Sequence, residues 1–131
     1  MPPNKQPKPT ESELQILEVL WARGPSTVRE VFEELGRRRD VGYTTILKLM
    51  QIMADKGLVG RDASRRTHVY KARLSRKRTQ KRLVGELIDK AFGGSAAGLI
   101  GQALVSRKPG DEELEEIQQL IERYRKEQGR D

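Results

Sequence analysis

Hydroxyl groups and one ammonium group lie close together in the stretch Tyr43-Thr44-Thr45, which is followed by Lys48. If the stretch is helical, Thr44 and Lys48 lie one turn apart on the same face. Threonine can contact several bases through its hydroxyl or methyl group, and lysine can donate to O6 and N7 of guanine. The four residues could therefore contact base edges in DNA. Thr44 and Thr45 could equally well only begin a helix, with Lys48 solvated.

A helix must position these side chains, and the apolar residues that follow predict one. Ile46, Leu49, Met50 and Met53 recur at the spacing of one helical face, and Gly57 is a typical helix end. The apolar face is expected to be buried. Thr44 and Lys48 fall on the opposite side, so the helix should present a polar surface to its surroundings.

Two further helices and a hairpin are predicted around this helix. Thr10 and Thr27 each precede a Glu by three residues, which is the capping-box pattern that begins a helix. Residues 58–62 and 67–74 have the composition of two short strands joined by a tight connection. Three helices followed by a β-hairpin predict a winged helix-turn-helix in residues 10–74, a fold that inserts its second motif helix into the DNA major groove.

Several residues outside that helix could contact the DNA backbone. An Arg triplet precedes the helix, an Arg pair marks the hairpin tip, and Thr27 begins a helix whose amides could hold a phosphate. Arg-rich loops are also ordinary surface, and the capping role of Thr27 requires no DNA. The backbone candidates are Thr27, Arg37, Arg38, Arg39, Arg65 and Arg66.

The charge distribution favours a polyanionic partner for the first part of the chain. Residues 1–74 hold 14 Lys/Arg against 9 Asp/Glu, and residues 75–110 hold 8 against 2. Residues 111–131 reverse the balance, with 4 against 8. Basic segments attract nucleic acid, although a charge run alone is more often a solvated face.

Composition argues against several other classes of protein. Without cysteine and with His68 as the single histidine, the chain lacks the ligands of a zinc site, so we expect no metal, no cofactor and no enzyme. No apolar run reaches the roughly 18 residues that span a membrane, and the first residues lack a secretory signal. These features predict a cytoplasmic protein.

Outside residues 10–74, the sequence predicts a disordered arm in residues 1–9, a small helical dimerisation region in residues 75–127 and a tail in 128–131. The dimerisation region has three short helices, the last capped by Asp111, which carry apolar stripes but few aromatic residues. A second copy would be needed to bury these stripes. The fold class is thus mainly α. The predicted dimerisation residues are Leu83, Leu87, Ile88, Phe92, Leu99, Leu114, Ile117, Ile121 and Tyr124.

Four stretches resemble the penicillinase-repressor family of winged-helix transcriptional regulators. They are "SELQILEVLWARGPSTVREVFEEL", "YTTILKLMQIMADKGLV", the hairpin and "FGGS". The resemblance implies a homodimer that binds an inverted-repeat operator and represses transcription, with Thr44, Thr45 and Lys48 on recognition-helix positions. Members controlled by a membrane sensor protease are cut at an Asn-Phe bond in the short helix after "GGS". The matching place here is Gln102-Ala103, and this departure speaks against cleavage and against a sensor protease as partner.

An alternative function is a winged-helix protein-interaction module in a larger assembly. The acidic last helix and the reuse of folds for different functions support it. Such a module is expected to have an acidic or apolar surface where Thr44, Lys48 and Gln51 lie.

Overall fold

The computed structural model describes residues 8–38 and 40–129, which form six helices and three short strands. Their contacts divide the chain into two compact units between Arg82 and Leu83. The mainly α fold with a winged helix-turn-helix, predicted from the sequence, is confirmed. The elements are α1 (Glu11–Arg23), β1 (Ser26–Thr27), α2 (Val28–Gly36), α3 (Tyr43–Lys56), β2 (Val59–Asp62), β3 (Val69–Ala72), α4 (Arg76–Ala91), α5 (Ala96–Arg107) and α6 (Asp111–Glu127).

Local sequence signals begin and end the helices of the first unit. Thr10 accepts a hydrogen bond from the Glu13 amide at 3.2 Å, and Glu13 accepts one from the Thr10 amide at 2.9 Å. Thr27 and Glu30 form the same reciprocal pair at the start of α2. Both predicted capping boxes are confirmed. Gly57 ends α3 at φ +84°, a left-handed conformation that costs glycine little because it has no Cβ.

The core of the first unit lies between α1, α2, α3 and the sheet. Of the four residues predicted to form the buried face of α3, Ile46, Met50 and Met53 are buried and Leu49 is half-buried. Complete burial of such side chains stabilises a fold by about 1.5–3 kcal/mol each. The remaining core side chains are Ile16, Leu17, Val19, Leu20, Val28, Val31, Leu35, Leu58, Val59, Tyr70 and Leu74.

The sheet has three antiparallel strands in the order β1-β3-β2. The two strands of the hairpin are shorter than residues 58–62 and 67–74. β2 begins one residue later than predicted, because the Leu58 amide still donates to Met53 O at the end of α3. The third strand, β1, was not predicted. Ser26 pairs with Tyr70 and Thr27 with Val69, so β1 holds the start of α2 against the hairpin.

The second unit holds the end of α4 together with α5 and α6. The Ser95 side chain caps α5 by accepting from the Gly98 amide at 2.9 Å. The prediction that Asp111 caps α6 is wrong: Gly110 has the extended conformation of the cap, and Asp111 is the first helical residue. None of the described residues from 83 to 129 is buried.

The predicted arm and domain boundaries are only partly described. Of residues 1–9, the structure describes Lys8 and Pro9, and Pro9 is buried. The predicted boundary between residues 74 and 75 lies just before α4, whereas the contacts divide the chain within that helix. The domain assignment stays a prediction.

Candidate nucleic-acid interface

The side of α3 opposite its buried face is exposed and polar. Thr44, Lys48 and Gln51 are exposed along this side. Within the described part of the chain, their side chains form no hydrogen bond or ion pair. Their donors and acceptors are therefore available to a ligand such as a base edge.

The residues beside this polar side have different surroundings. Thr45 is exposed but borders a small cavity of about 120 Å³ between α1, α2 and α3. Tyr43 lies toward the other side of α3, where its ring meets the edge of Phe32 with centroids 5.8 Å apart and an interplanar angle of 80°. Of the four base-reading candidates, Thr44 and Lys48 thus share the open face, while Thr45 and Tyr43 border it on opposite sides.

The hairpin tip carries exposed cations in an ordered turn. The Asp62 carboxylate accepts a hydrogen bond from the Ser64 amide at 3.0 Å, which fixes the chain as it leaves β2. Hydrogen bonds from Ser64 lower the pKa of Asp62, and the nearby charges of Arg65 and His68 lower it further. Asp62 therefore stays ionised at neutral pH. Arg65 and Arg66 are both exposed in this loop, as expected for a tip that contacts phosphate or the minor groove.

A groove of about 270 Å³ lies between the start of α2, the start of α3 and the hairpin tip. It brings Tyr43 and Arg66 together, two residues that the sequence analysis assigned to separate roles. It also contains Arg29, which was not among the predicted site residues because no local sequence pattern links it to Tyr43. The lining residues are Val28, Arg29, Tyr43, Leu47, Arg66, Thr67 and His68.

The other backbone candidates differ in their availability. Thr27 caps α2, and the capping box uses its amide and that of Glu30. Arg37 is exposed at the end of α2, whereas Arg38 is exposed but pairs with Glu34 at 3.0 Å. Exposed pairs of this kind contribute little to stability, so Arg38 can exchange its partner for a phosphate at small cost. Arg39 lies outside the described residues.

An ion pair with a buried carboxylate fixes the far end of α3. Lys56 Nζ lies 2.8 Å from Glu13 Oε2, and the Glu13 side chain is only 2% exposed. Burial raises the pKa of Glu13, but the hydrogen bonds from Lys56 and Thr10 outweigh this effect and leave the pKa below its usual value. The charged pair links the start of α1 to the end of α3.

Two kinds of site are not found in the described part of the chain. No helix within residues 8–38 and 40–129 is long and apolar enough to cross a membrane. Over the same residues, no group of three or more His, Asp or Glu side chains could hold a metal ion.

The fold and this surface agree with the family that the sequence matches. A family model described as "Penicillinase repressor" matches residues 9–123, which is most of the chain. The chain belongs to the penicillinase repressor family. This membership confirms the resemblance predicted from the sequence, and it confirms that the protein is not an enzyme, because the family is one of transcriptional repressors.

Individual relatives of the family differ in how much of the chain they match. The transcriptional regulator BlaI of Mycobacterium tuberculosis is 42% identical over 59 residues, which cover 44% of this chain and 43% of that protein. The penicillinase repressor of Staphylococcus aureus is 19% identical over 118 residues, or 90% of this chain and 94% of the relative. The match to the Mycobacterium protein thus spans less than half of its length.

A solved structure supports the fold of the first unit. The solution structure of the DNA binding domain of the repressor BlaI superposes with a TM-score of 0.50 and 24% identity, over 55% of this chain and 88% of that domain. At this identity the match shows the fold alone. The winged helix-turn-helix is therefore shared with a member of the penicillinase repressor family.

The remaining predicted site residues of this family member lie in the second unit. Gln102 and Ala103, the position that matches the family's cleavage bond, are exposed within α5. All nine predicted dimerisation residues are at least partly exposed. Four of them are exposed: Leu87, Leu114, Ile121 and Tyr124.

Proposed function

We propose that this chain is a sequence-specific transcriptional repressor that binds an inverted-repeat operator as a homodimer. The exposed polar side of α3 carries the proposal. Thr44 and Lys48 have unused hydrogen-bonding groups on α3, and in a winged helix-turn-helix this helix typically enters the major groove. This surface is neither acidic nor apolar at Thr44, Lys48 and Gln51, which is what the protein-interaction alternative would require.

The proposed contacts fall into two classes. Base reading was predicted for Tyr43, Thr44, Thr45 and Lys48, and the proposal keeps it for Thr44, Thr45 and Lys48. The Tyr43 ring instead packs against Phe32 and Arg29. Backbone contact is assigned to the residues around them, whose charges attract phosphates without reading sequence. These backbone residues are Thr27, Arg37, Arg38, Arg39, Arg65 and Arg66.

Exposed apolar residues in the second unit support the homodimer. Among the described residues, eight of the ten exposed large apolar side chains lie in this unit. Leu114, Ile117, Ile121 and Tyr124 recur along one face of α6, yet none of them is buried in the single chain. Exposed apolar residues that recur along one helix face are typical of a protein-protein interface. A second copy that covers these residues would supply the core that the unit lacks.

The dimer sets the form of the operator. A twofold-symmetric protein presents two copies of α3, and half-sites then lie about one or two turns of DNA apart, with roughly 34–36 Å per turn. Residues 10–74 would contact DNA and residues 75–127 would dimerise, in a cytoplasmic protein. The proposal includes no cleavage at Gln102-Ala103, because the Asn-Phe pair that the sensor protease cuts is absent there.

A gel-shift titration of the full chain tests the proposal. The probe is the DNA upstream of the chain's own gene, with a scrambled duplex of the same length as the control. We expect tighter binding to the upstream DNA by a factor of about 10³ or more at physiological salt. Equal affinity for the two duplexes would contradict sequence-specific recognition.

A further inference from the structure

We propose that the groove between α2, α3 and the hairpin tip is a binding site for one backbone phosphate of DNA, in which Arg29 holds the phosphate and Tyr43 positions Arg29. The inference rests on the proposed function and adds to it a residue of α2 that neither the sequence pattern nor the family match assigns. It also gives Tyr43 a role other than base reading.

The groove has the charge that a phosphate requires. Arg29, Arg66 and His68 line it, and none of its seven lining residues is acidic. Val28 and Leu47 contribute apolar surface to its lining. A groove with cationic donors and apolar walls keeps a bound anion partly out of water, which strengthens each charged hydrogen bond.

Arg29 is more available than Arg23 and Arg38. Arg23 pairs with Glu30 at 3.2 Å and Arg38 pairs with Glu34 at 3.0 Å, so both already have carboxylate partners. Arg29 has no carboxylate partner within the described residues; its Cζ instead lies 5.2 Å from the centre of the Tyr43 ring. Its charge is therefore not neutralised within the described chain.

The contact with Tyr43 leaves the N–H donors of Arg29 usable. A cation over a ring face is held by its charge, and the contact takes up no hydrogen-bond acceptor. The ring is held in turn by its edge-on contact with Phe32. Because fewer rotamers of Arg29 remain to be lost on binding, the stack prepares the side chain for a phosphate.

The position of the groove relates it to the proposed reading face. Its walls are the first turn of α3, which would enter the major groove, and the hairpin tip, which carries Arg66. A DNA strand bordering that major groove would pass this opening. A phosphate held there would fix the depth and register at which Thr44 and Lys48 meet the bases.

Salt-dependent DNA binding by Arg29→Ala tests the proposal. The probe is the duplex that the wild-type chain selects from a randomised library, titrated between 50 and 200 mM salt. The slope of log K against log salt is negative, and loss of one phosphate contact makes it shallower. Its magnitude falls by about 0.9 per half-site, or about 1.8 for a symmetric dimer. At 0.15 M salt the same relation predicts about a fivefold loss of affinity per half-site.

Arg23→Ala is the matched control, because it removes the same charge from a residue already paired with Glu30. Its salt slope should equal that of the wild type. If the wild type is sequence-specific and Arg29→Ala keeps the wild-type slope, the groove holds no phosphate, while the proposed function stands. If the wild type shows no preference for any duplex, both are overturned.

Substitutions at Tyr43 separate positioning from base reading. Tyr43→Phe keeps the ring, so affinity and base preference should both match the wild type. Tyr43→Leu removes the ring, and Arg29→Ala should then cost less in that background than in the wild type. A changed base preference in Tyr43→Phe, or full additivity of Arg29→Ala and Tyr43→Leu, would overturn the positioning role. Circular dichroism and the thermal midpoint show whether each variant is folded.

Discussion

Replacing Lys56 by methionine removes the cation that fixes the end of α3 on the start of α1. The methionine keeps most of the apolar stem, so the variant isolates the loss of charge. In the wild type, Lys56 Nζ lies 2.8 Å from a Glu13 carboxylate whose side chain is 2% exposed. The variant leaves this carboxylate buried, with the hydrogen bond from the Thr10 amide still in place.

The expected loss of stability follows from the exposure of the two partners. Removing one partner of a fully buried ion pair costs about 3–5 kcal/mol, whereas an exposed pair contributes about 0–1 kcal/mol. The Lys56 side chain is 35% exposed, so water can reach part of the site once the ammonium is gone. We therefore expect Lys56→Met to lower the free energy of unfolding by about 2 kcal/mol at pH 7.

The loss should depend on pH in a defined direction. Because the folded-state pKa of Glu13 is lowered, its ionised form contributes stability above the unfolded pKa of about 4.3. That contribution disappears as the pH falls through the folded-state pKa. The difference between Lys56→Met and the wild type should accordingly be full at pH 7. It should shrink as the pH falls through the folded-state pKa of Glu13, because a protonated carboxyl no longer needs the Lys56 cation.

Urea denaturation of the full chain measures the effect at a fixed protein concentration, since dimer stability depends on concentration. A loss of about 2 kcal/mol lowers the midpoint by about 1 M for a slope near 2 kcal/mol/M. Lys48→Met is the matched control, because Lys48 lies exposed on the same helix without a partner among the described residues; it should change stability by less than about 0.5 kcal/mol.

A second background makes the reasoning refutable. Glu13→Gln retains the capping box, since glutamine also serves at this position, but it removes the buried charge. Lys56→Met should then cost less than about 0.5 kcal/mol. If Lys56→Met costs equally much with Glu13 and with Gln at this position, the ion pair does not explain the effect. A urea midpoint for Lys56→Met equal to that of the wild type at pH 7 would also contradict a stabilising ion pair.

Three further predictions concern base reading, a helix end and the dimer. Lys48→Ala should change base preference, measured as relative affinities for single-base variants of the selected site; unaltered preference would contradict its assignment. Gly57→Ala should lower the free energy of unfolding by about 1 kcal/mol or more in urea denaturation, because φ +84° strains alanine. Gly85→Ala lies inside α4 at an ordinary helical φ and should raise that free energy by about 0.5–1 kcal/mol. Equal effects of the two substitutions would refute the conformational argument. Ile121→Asp should give a monomer in light scattering at micromolar concentration while Glu122→Ala remains dimeric; a dimeric Ile121→Asp would remove α6 from the proposed interface.

Much of the first unit could be predicted because its signals are local. The capping boxes at Thr10 and Thr27 extend over three residues, and Gly57 ends α3 through its own backbone conformation. The apolar spacing of α3 likewise lies within one element. Each of these features can be recognised without knowing what the rest of the chain does, because the physical cause is contained in a few neighbouring residues.

The features that could not be predicted join distant parts of the chain. β1 is only two residues long and exists because Ser26 and Thr27 meet β3, more than 40 positions away. Lys56 and Glu13 are 43 positions apart. Similarly, nothing in the local pattern of α2 linked Arg29 to Tyr43. Only the packing of α2 against α3 shows which ring Arg29 meets.

The position of Asp111 shows the limit of residue preference. Asp is a favoured N-cap, and it follows Pro109-Gly110 directly, so the sequence favoured it as the cap of α6. Gly110 instead takes the extended backbone of the cap, which places Asp111, Glu112 and Glu113 in the first turn. Their charges are still favourable there because of the positive end of the helix dipole. The preference of Asp for the N-cap position thus predicted the start of α6 to within one residue.

Selection of duplexes from a randomised library by the wild-type chain is the most direct test of sequence-specific recognition by a dimer. A homodimer that reads bases with α3 should enrich an inverted repeat whose half-sites lie about 10 or about 20 base pairs apart, centre to centre. Enrichment of a single half-site without a symmetric partner would contradict the homodimer. No enrichment above the starting library would contradict base reading by α3.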